Sequence, residues 1–235
     1  MGYNNDQAHV TGTPWLCFDV ETAPMPGCAD YLTDPIKAPD NYKDEKKIAA
    51  YIEEKRQKQI ADAGLDLDLC EIVAIAIQFP TESYVQTRES WTEGDMLEGF
   101  WRFVRTIQRE GGNIVGFGCL GFDLPILFRR SLYLGVDVPS VQIDKYRHEG
   151  VIDVAHELTF GGRMTWRSLN FYCRRLGIPH DDSVKGEDIA GLVQAKDWAK
   201  VEAHCKEDAW STAQLAQRIG LVYAPQPTPA LDVVA

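Results

Sequence analysis

Four acidic residues in this chain occupy positions where local rules do not place acids. In WLCFDVET, residues 15–22, a strand period of two puts Trp15, Cys17, Asp19 and Glu21 on one face and Leu16, Phe18 and Val20 on the other. Two carboxylates side by side on an otherwise apolar strand repel each other and lose hydration. An ionised pair there needs a compensating cation, and a divalent metal compensates better than a single lysine. A strand end opening into a loop at Glu21 and Thr22 would give the same pattern without chemistry.

Asp123 follows a glycine-rich strand exit in NIVGFGCLGFDLPILFRR and precedes a helix with Pro125 in its first turn. An Asp at that place can act as an N-cap, worth about 1 kcal/mol. Gly116, Gly118 and Gly121 also spell GxGxxG, the dinucleotide-binding fingerprint. Electrostatics rejects that reading, because a bare helix N-terminus holds pyrophosphate and Asp123 puts an anion on the same spot. The motif also lies beyond residue 110 rather than in the first βα unit.

Asp208 falls in the apolar stripe of a helix, VEAHCKEDAWSTAQLAQRIG, formed by Val201, Cys205, Thr212, Leu215 and Ile219. His204 lies one turn earlier on nearly the same face. A buried acid is costly unless paired, and an Asp208–His204 hydrogen bond would satisfy it locally. The coincidence of four such acids, on a strand, a strand-to-helix turn and a helix that one α/β sheet can bring together, favours a shared cation site.

The elements that must position these acids follow from periodicity. WLCFDV, EIVAIAIQF, SYVQT and NIVGF have strand patterns, and MLEGFWRFVRTIQ and DLPILFRRSLYLG have helical ones. That order predicts an α/β sheet with helices packed on it. The chain has 235 residues, 45% of them hydrophobic, enough for one large domain without disulfides. The folded unit is expected over residues 14–221, with flexible tails at 1–13 and 222–235. A charged helical insertion is expected at 34–66, carrying Lys43, Lys46, Lys47, Lys55, Arg56 and Lys58. A solvated helix face is the commoner origin of such a run; guidance of a nucleic-acid strand is the functional alternative.

Composition narrows the function classes. A net charge of −11 argues against strong nonspecific binding to a polyanion, although a site that concentrates metal ions could still process nucleic acid. The six cysteines form no CxxC and no zinc-finger spacing, and are expected as reduced core residues. No run of 18 apolar residues occurs and the start lacks the features of a secretory signal, so a soluble, cytoplasmic protein with no membrane partner is expected.

FDVET, GFGCLGFDLPIL and HCKEDAWST resemble, in order, the first, second and third motifs of the DEDD 3′-to-5′ exonucleases of the ribonuclease H-like fold. The chain is similar to stand-alone, phage or bacterial relatives of the family-B DNA polymerase proofreading domain, and RMTWRSLNFYCRRLGIP is similar to that family's helix before the last motif. The resemblance covers most of Trp15 to Ile219. It implies a ribonuclease H-like mixed sheet flanked by helices, with Asp19, Glu21, Asp123 and Asp208 holding two Mg²⁺ or Mn²⁺ ions. It implies hydrolysis of phosphodiester bonds from the 3′ end of single-stranded DNA, as in repair or proofreading. Action on RNA ends and a catalytically silent metal-binding interaction module are the alternatives. His204 would activate water, and Thr22, Phe122 and Arg163 would contact substrate, Phe122 having core packing as its ordinary alternative. Arg129, Arg130, Arg163, Arg167, Arg174, Arg175 and Lys185 flank the second and third motifs, and some are expected to line a strand-binding groove.

The chain departs from the family pattern twice. Gly118 stands where the second motif commonly has Asn, and His204 stands four residues before Asp208, the tyrosine branch's spacing with the histidine branch's side chain.

Overall fold

A computed structural model describes residues 12–144 and 148–223. Strand β1 (Trp15–Pro24) is central in a five-stranded sheet with β2 (Cys70–Gln78), β3 (Ser83–Thr87), β4 (Asn113–Gly116) and β5 (Val151–Asp153). The order is β3-β2-β1-β4-β5. Strands β1, β2 and β3 are antiparallel neighbours, whereas β4 runs parallel to both β1 and β5. Parallel neighbours require long crossovers, which here carry helices: α2 (Glu93–Arg109) leads into β4, and α3 (Asp123–Leu134) lies between β4 and β5.

The sheet is covered on both faces, so its central strands are largely apolar, with Asp19 and Glu21 of β1 as exceptions. Leu16, Phe18 and Val20 of β1 share a core with Met96, Leu97, Phe100, Trp101 and Val104 of α2 and Leu124, Ile126 and Leu127 of α3. Two signals fix the start and seat of α2: a capping box between Thr92 and Asp95, and the Trp101 indole donating to Ser131 Oγ at 2.8 Å.

The opposite face carries α4 (Val154–Leu158), α5 (Leu169–Leu176), α6 (Ile189–Gln194) and α7 (Trp198–Arg218). Trp15 and Cys17 pack with Leu169, Cys173, Leu215 and Ala216, while Val201, Cys205 and Ala209 of α7 pack on Ala23, Val73, Ala74 and Ala76. Small side chains on both sides let α7 approach the sheet closely at the level of Asp19 and Glu21.

The expected strands and long helices are present with modest shifts of their ends. The helix expected at 96–108 spans Glu93–Arg109, the strand at 113–117 ends at Gly116, and the last helix begins at Trp198. Within residues 34–66, helix α1 (Glu45–Asp62) has no buried side chain, and Arg56 ties it to the carbonyls of Leu32 and Asp34. Most of the two expected tails lies outside the described residues, but the inner edge of the second, at Val222 and Tyr223, is packed. Val222 is buried, and the Tyr223 carbonyl accepts the Trp15 indole N–H at 3.2 Å. The indole needs an acceptor once buried, so the packed chain continues through Tyr223. All six cysteines are free and buried, as the composition predicts. Among the described residues no helix is long and apolar enough to cross a membrane.

Candidate active site

Strand β1 delivers the first two carboxylates. Asp19 pairs with Ala76 and Glu21 with Ala74, and the register shifts just after Glu21. Asp19 and Glu21 therefore share the face that α7 crosses, with only small residues beside them on β2. The Cys205 thiol donates to the Asp19 carbonyl at 3.5 Å, fixing the helix against the strand. From the same helix His204 reaches both motifs: its Nε2 lies 3.3 Å from Glu21 Oε1 and its Nδ1 3.9 Å from Asp208 Oδ1. Asp19, Glu21 and Cys205 each offer a ligand atom, all within 4.8 Å of one another.

Asp123 arrives from the other side of β1. The alternative that it caps α3 does not hold: Phe122 is the N-cap residue, no side chain caps the helix, and Asp123 is the first helical residue. The loop itself does the capping, with the Cys119 carbonyl accepting from Leu124 N at 2.9 Å. The Asp123 carboxylate is thereby left for another partner.

The loop is held by a residue that periodicity did not single out. Buried Asp153, at the end of β5, accepts N–H bonds from Gly118 (2.8 Å) and Leu120 (3.1 Å), and also from Ala155 and His156 at the start of α4. An Asp between the strand-like VI and the helical VAHEL was the available signal, and it marks only the helix cap.

The electrostatics of the four carboxylates agree in direction. Burial pushes Asp19 well above the usual carboxylate range, and Glu21, Asp208 and Asp123 add to the effect. Glu21 is raised likewise by burial, then by Asp208 and Asp123. Burial, Asp153 and Asp208 raise Asp123 to about 7; burial, Glu207 and Asp182 raise Asp208 to about 7. Among the described residues, His204 is the only cationic type in an ion-pair contact with any of the four. It cannot compensate them, because burial first and then His180 push its own pKa down, toward the neutral ring. Asp208 Oδ1 and His204 Nδ1 are buried with no hydrogen-bond partner.

Carboxylates crowded together without a compensating charge, Glu21 buried and Asp19, Asp123 and Asp208 half-buried, are costly without a cation. The oxygen donors of Asp19, Glu21, Asp123 and Asp208 suit a hard divalent ion, whereas burial pushes the Cys205 thiol up and keeps it protonated. A cavity of about 670 Å³ opens beside His204, lined also by Asp181, Asp188, Lys200 and Glu207.

The other residues singled out in the sequence are dispersed. The Thr22 hydroxyl donates to the Gly64 carbonyl at 2.6 Å, tying β1 to the turn before β2. Phe122 is half-buried against the core of α2 and α3, in line with its ordinary alternative. Arg129 pairs with Asp68 at 2.6 Å. Arg130 is removed from the groove set altogether: it is buried in a two-pronged pair with Glu93, both contacts 2.7 Å, and Glu93 also accepts Ile72 N. Arg163, Arg167, Arg174, Arg175 and Lys185 are exposed. Two glycines of GxGxxG have packing reasons instead of a cofactor. A Cβ on Gly116 would stand 2.5 Å from that of Cys119, and one on Gly118, where φ is +71°, would stand 2.3 Å from the Trp166 ring.

Three comparisons bear on this arrangement. Residues 64–223 match the model of a family described as a predicted 3′-5′ exonuclease related to the exonuclease domain of PolB. Asp123, His204 and Asp208 fall inside the matched stretch, and Asp19 and Glu21 precede it. No curated protein matches the sequence. Among solved structures, the family B DNA polymerase from the hyperthermophilic archaeon Pyrobaculum calidifontis is similar over 88% of this chain, with a TM-score of 0.58 and 17% identity. The chain spans only 24% of that polymerase, so the likeness shows the fold alone: the mixed sheet with its flanking helices is the ribonuclease H-like arrangement.

Proposed function

The chain belongs to the family of predicted 3′-5′ exonucleases related to the exonuclease domain of PolB, and from that membership we propose that it hydrolyses phosphodiester bonds from the 3′ end of single-stranded DNA with two bound Mg²⁺ or Mn²⁺ ions. The observation that carries this reading is the meeting of Asp19, Glu21, Asp123 and Asp208, each with its pKa pushed up and none compensated by a lysine or arginine among the described residues. These four residues would hold the ions. When bound, such ions acidify a water for attack and neutralise charge that develops on the phosphate and the leaving 3′ oxygen.

The protein's own residues supply position and proton transfer. β1 fixes Asp19 and Glu21 rigidly, and the loop held by Asp153 sets Asp123 against them. If His204 Nε2 carries its proton toward Glu21 Oε1, then Nδ1, which no hydrogen bond occupies, has the lone pair that accepts a proton from the attacking water. His204 would so serve in the tyrosine position of the third motif. Removal of 3′ nucleotides in DNA repair or proofreading is the use this activity fits.

The test is incubation of end-labelled single-stranded DNA and RNA with wild type, Asp19→Ala and Asp123→Ala, with and without Mn²⁺. Stepwise shortening of DNA from the 3′ end, dependent on Mn²⁺ and lost in both variants, is the expected result. Full activity in either variant would overturn the four-carboxylate site. Preferential shortening of RNA would move the substrate to the other nucleic acid, and Mn²⁺ binding without cleavage would make the domain a binding module.

A further inference from the structure

Against the loop that leads to Asp123 lies a run of rings that the proposed chemistry does not use. The Trp166 indole stacks on Phe117, ring centroids 5.7 Å apart and 13° from parallel. Phe117 meets Tyr172 at 6.1 Å, Tyr172 meets Phe171 at 5.5 Å, and the Arg167 guanidinium lies 5.7 Å over the Phe171 ring. The ladder runs from Trp166, in the segment before α5, through Phe117, just after β4, to α5, and its outer members are in the open: Trp166 is 48% exposed and Phe171 44%. Phe160 and Met164 beside them are more than 60% exposed. So many large apolar side chains left together in water mark a binding surface.

Charge identifies what it binds. Residues 160–180 contain Arg163, Arg167, Arg174 and Arg175 and no Asp or Glu, in a chain whose net charge is −11. All four arginines are exposed. An apolar surface for a protein partner has no need of this local reversal, whereas flat rings interleaved with guanidinium groups match stacked bases on a phosphate backbone.

Position links the ladder to the site. Trp166 rests on Gly118, where a side chain would collide with the indole, and Gly118 belongs to the loop that leads to Asp123. Between this loop and the 162–166 segment is a cavity of about 370 Å³, lined by Gly118, Gly121, Gly162, Met164, Trp166 and His156. Three glycines leave its wall bare, which gives a planar heterocycle room beside the half-exposed indole.

We propose that the Trp166–Phe171 ladder is a stacking platform for the bases of a single DNA strand whose 3′ end lies at the carboxylate cluster. The proposal rests on the exonuclease reading for the direction of the strand, but base stacking can be measured without cleavage. Binding of a fluorescent oligodeoxyadenylate is followed in Ca²⁺ for wild type, Trp166→Ala, Trp166→Tyr and Phe171→Ala, next to an oligomer of equal length whose sugars carry no bases.

Wild type is expected to prefer the base-bearing oligomer. Trp166→Ala and Phe171→Ala each weaken that binding by on the order of tenfold, with little change for the abasic oligomer, and Trp166→Tyr restores it. Phe171 is exposed on α5, so its variant remains informative if Trp166→Ala unsettles the Gly118 loop. Equal binding of both oligomers by wild type, or unchanged binding in both alanine variants, would overturn the platform. Wild-type cleavage of DNA in Mn²⁺ reports separately on the exonuclease reading: cleavage with unchanged binding in the variants sinks only the platform, and base-dependent binding without cleavage sinks only the catalysis.

Discussion

Asp153 accepts the backbone N–H of Gly118 at 2.8 Å, joining the end of β5 to the loop that carries Asp123. Its other oxygen takes Leu120 N, so an amide in place of the carboxylate would turn an N–H donor toward one of the loop's own donors. Asp153 is also the strongest charged influence raising Asp123. Asp153→Asn is expected to cost about 1–3 kcal/mol of stability and to lower kcat. Because a like charge is removed, the Asp123 carboxyl should titrate at lower pH in the metal-free variant, visible by NMR. A wild-type titration together with a wild-type rate would remove Asp153 from the site.

The metal-free protein should become less stable as pH rises from about 4 to about 7. A carboxyl whose folded pKa is raised holds its proton more tightly when folded, so its contribution is fully present below the unfolded value of about 4 and is lost through the folded value. Asp123 and Asp208 both have folded values of about 7. One such group contributes at most roughly 4 kcal/mol, and coupled groups do not add. Thermal melts in a chelator should show Tm falling across this window, less steeply in Asp123→Asn, with Mn²⁺ restoring Tm at pH 7. A Tm that rises with pH in wild type without metal would contradict the repelling cluster.

His204 touches Glu21 and approaches Asp208, so its removal should act on rate. His204→Ala is expected to reduce kcat by about 10²- to 10⁴-fold with little change in metal affinity. His204→Tyr should keep much of the activity and move the pH–rate profile toward alkali, since a phenol loses its proton about 3 to 4 units higher than an imidazolium. Near wild-type rates for His204→Ala between pH 6 and 9 would exclude it as the base.

Arg130 separates a buried, paired arginine from the exposed ones. Its buried pair with Glu93 means that Arg130→Ala leaves a carboxylate unpaired, at a cost of about 3–5 kcal/mol. The variant should lose stability in urea while the folded fraction keeps a normal KM for oligonucleotide. Arg167→Ala, from the exposed basic segment, should do the opposite: little loss of stability, and a KM that is higher and less dependent on salt. A raised KM in folded Arg130→Ala would return it to the groove.

What the sequence determined by itself was whatever depends on a few adjacent residues. The period of two in WLCFDVET placed Asp19 and Glu21 on one face, and the helical stripe around Cys205 exposed Asp208 as misplaced, because each pattern is complete within one element. The long helices α2, α3 and α7 were legible for the same reason. Strand β5 has three residues, too few to show a period, and Asp153 at its end carried only the signature of a helix cap.

Tertiary structure decided the partners. The Cys119 carbonyl, and not the Asp123 side chain, caps α3. Arg130 and Glu93 are 37 residues apart, Gly118 and Asp153 are 35 apart, and Trp15 holds the carbonyl of Tyr223 across 208 residues. Such contacts are set by strand order and by which helix face meets the sheet, and no local period encodes either. The sequence could show that four carboxylates were each expensive where they stood; the placement of β4 beside β1 and of α7 across it made that expense a shared one, which a single site can relieve.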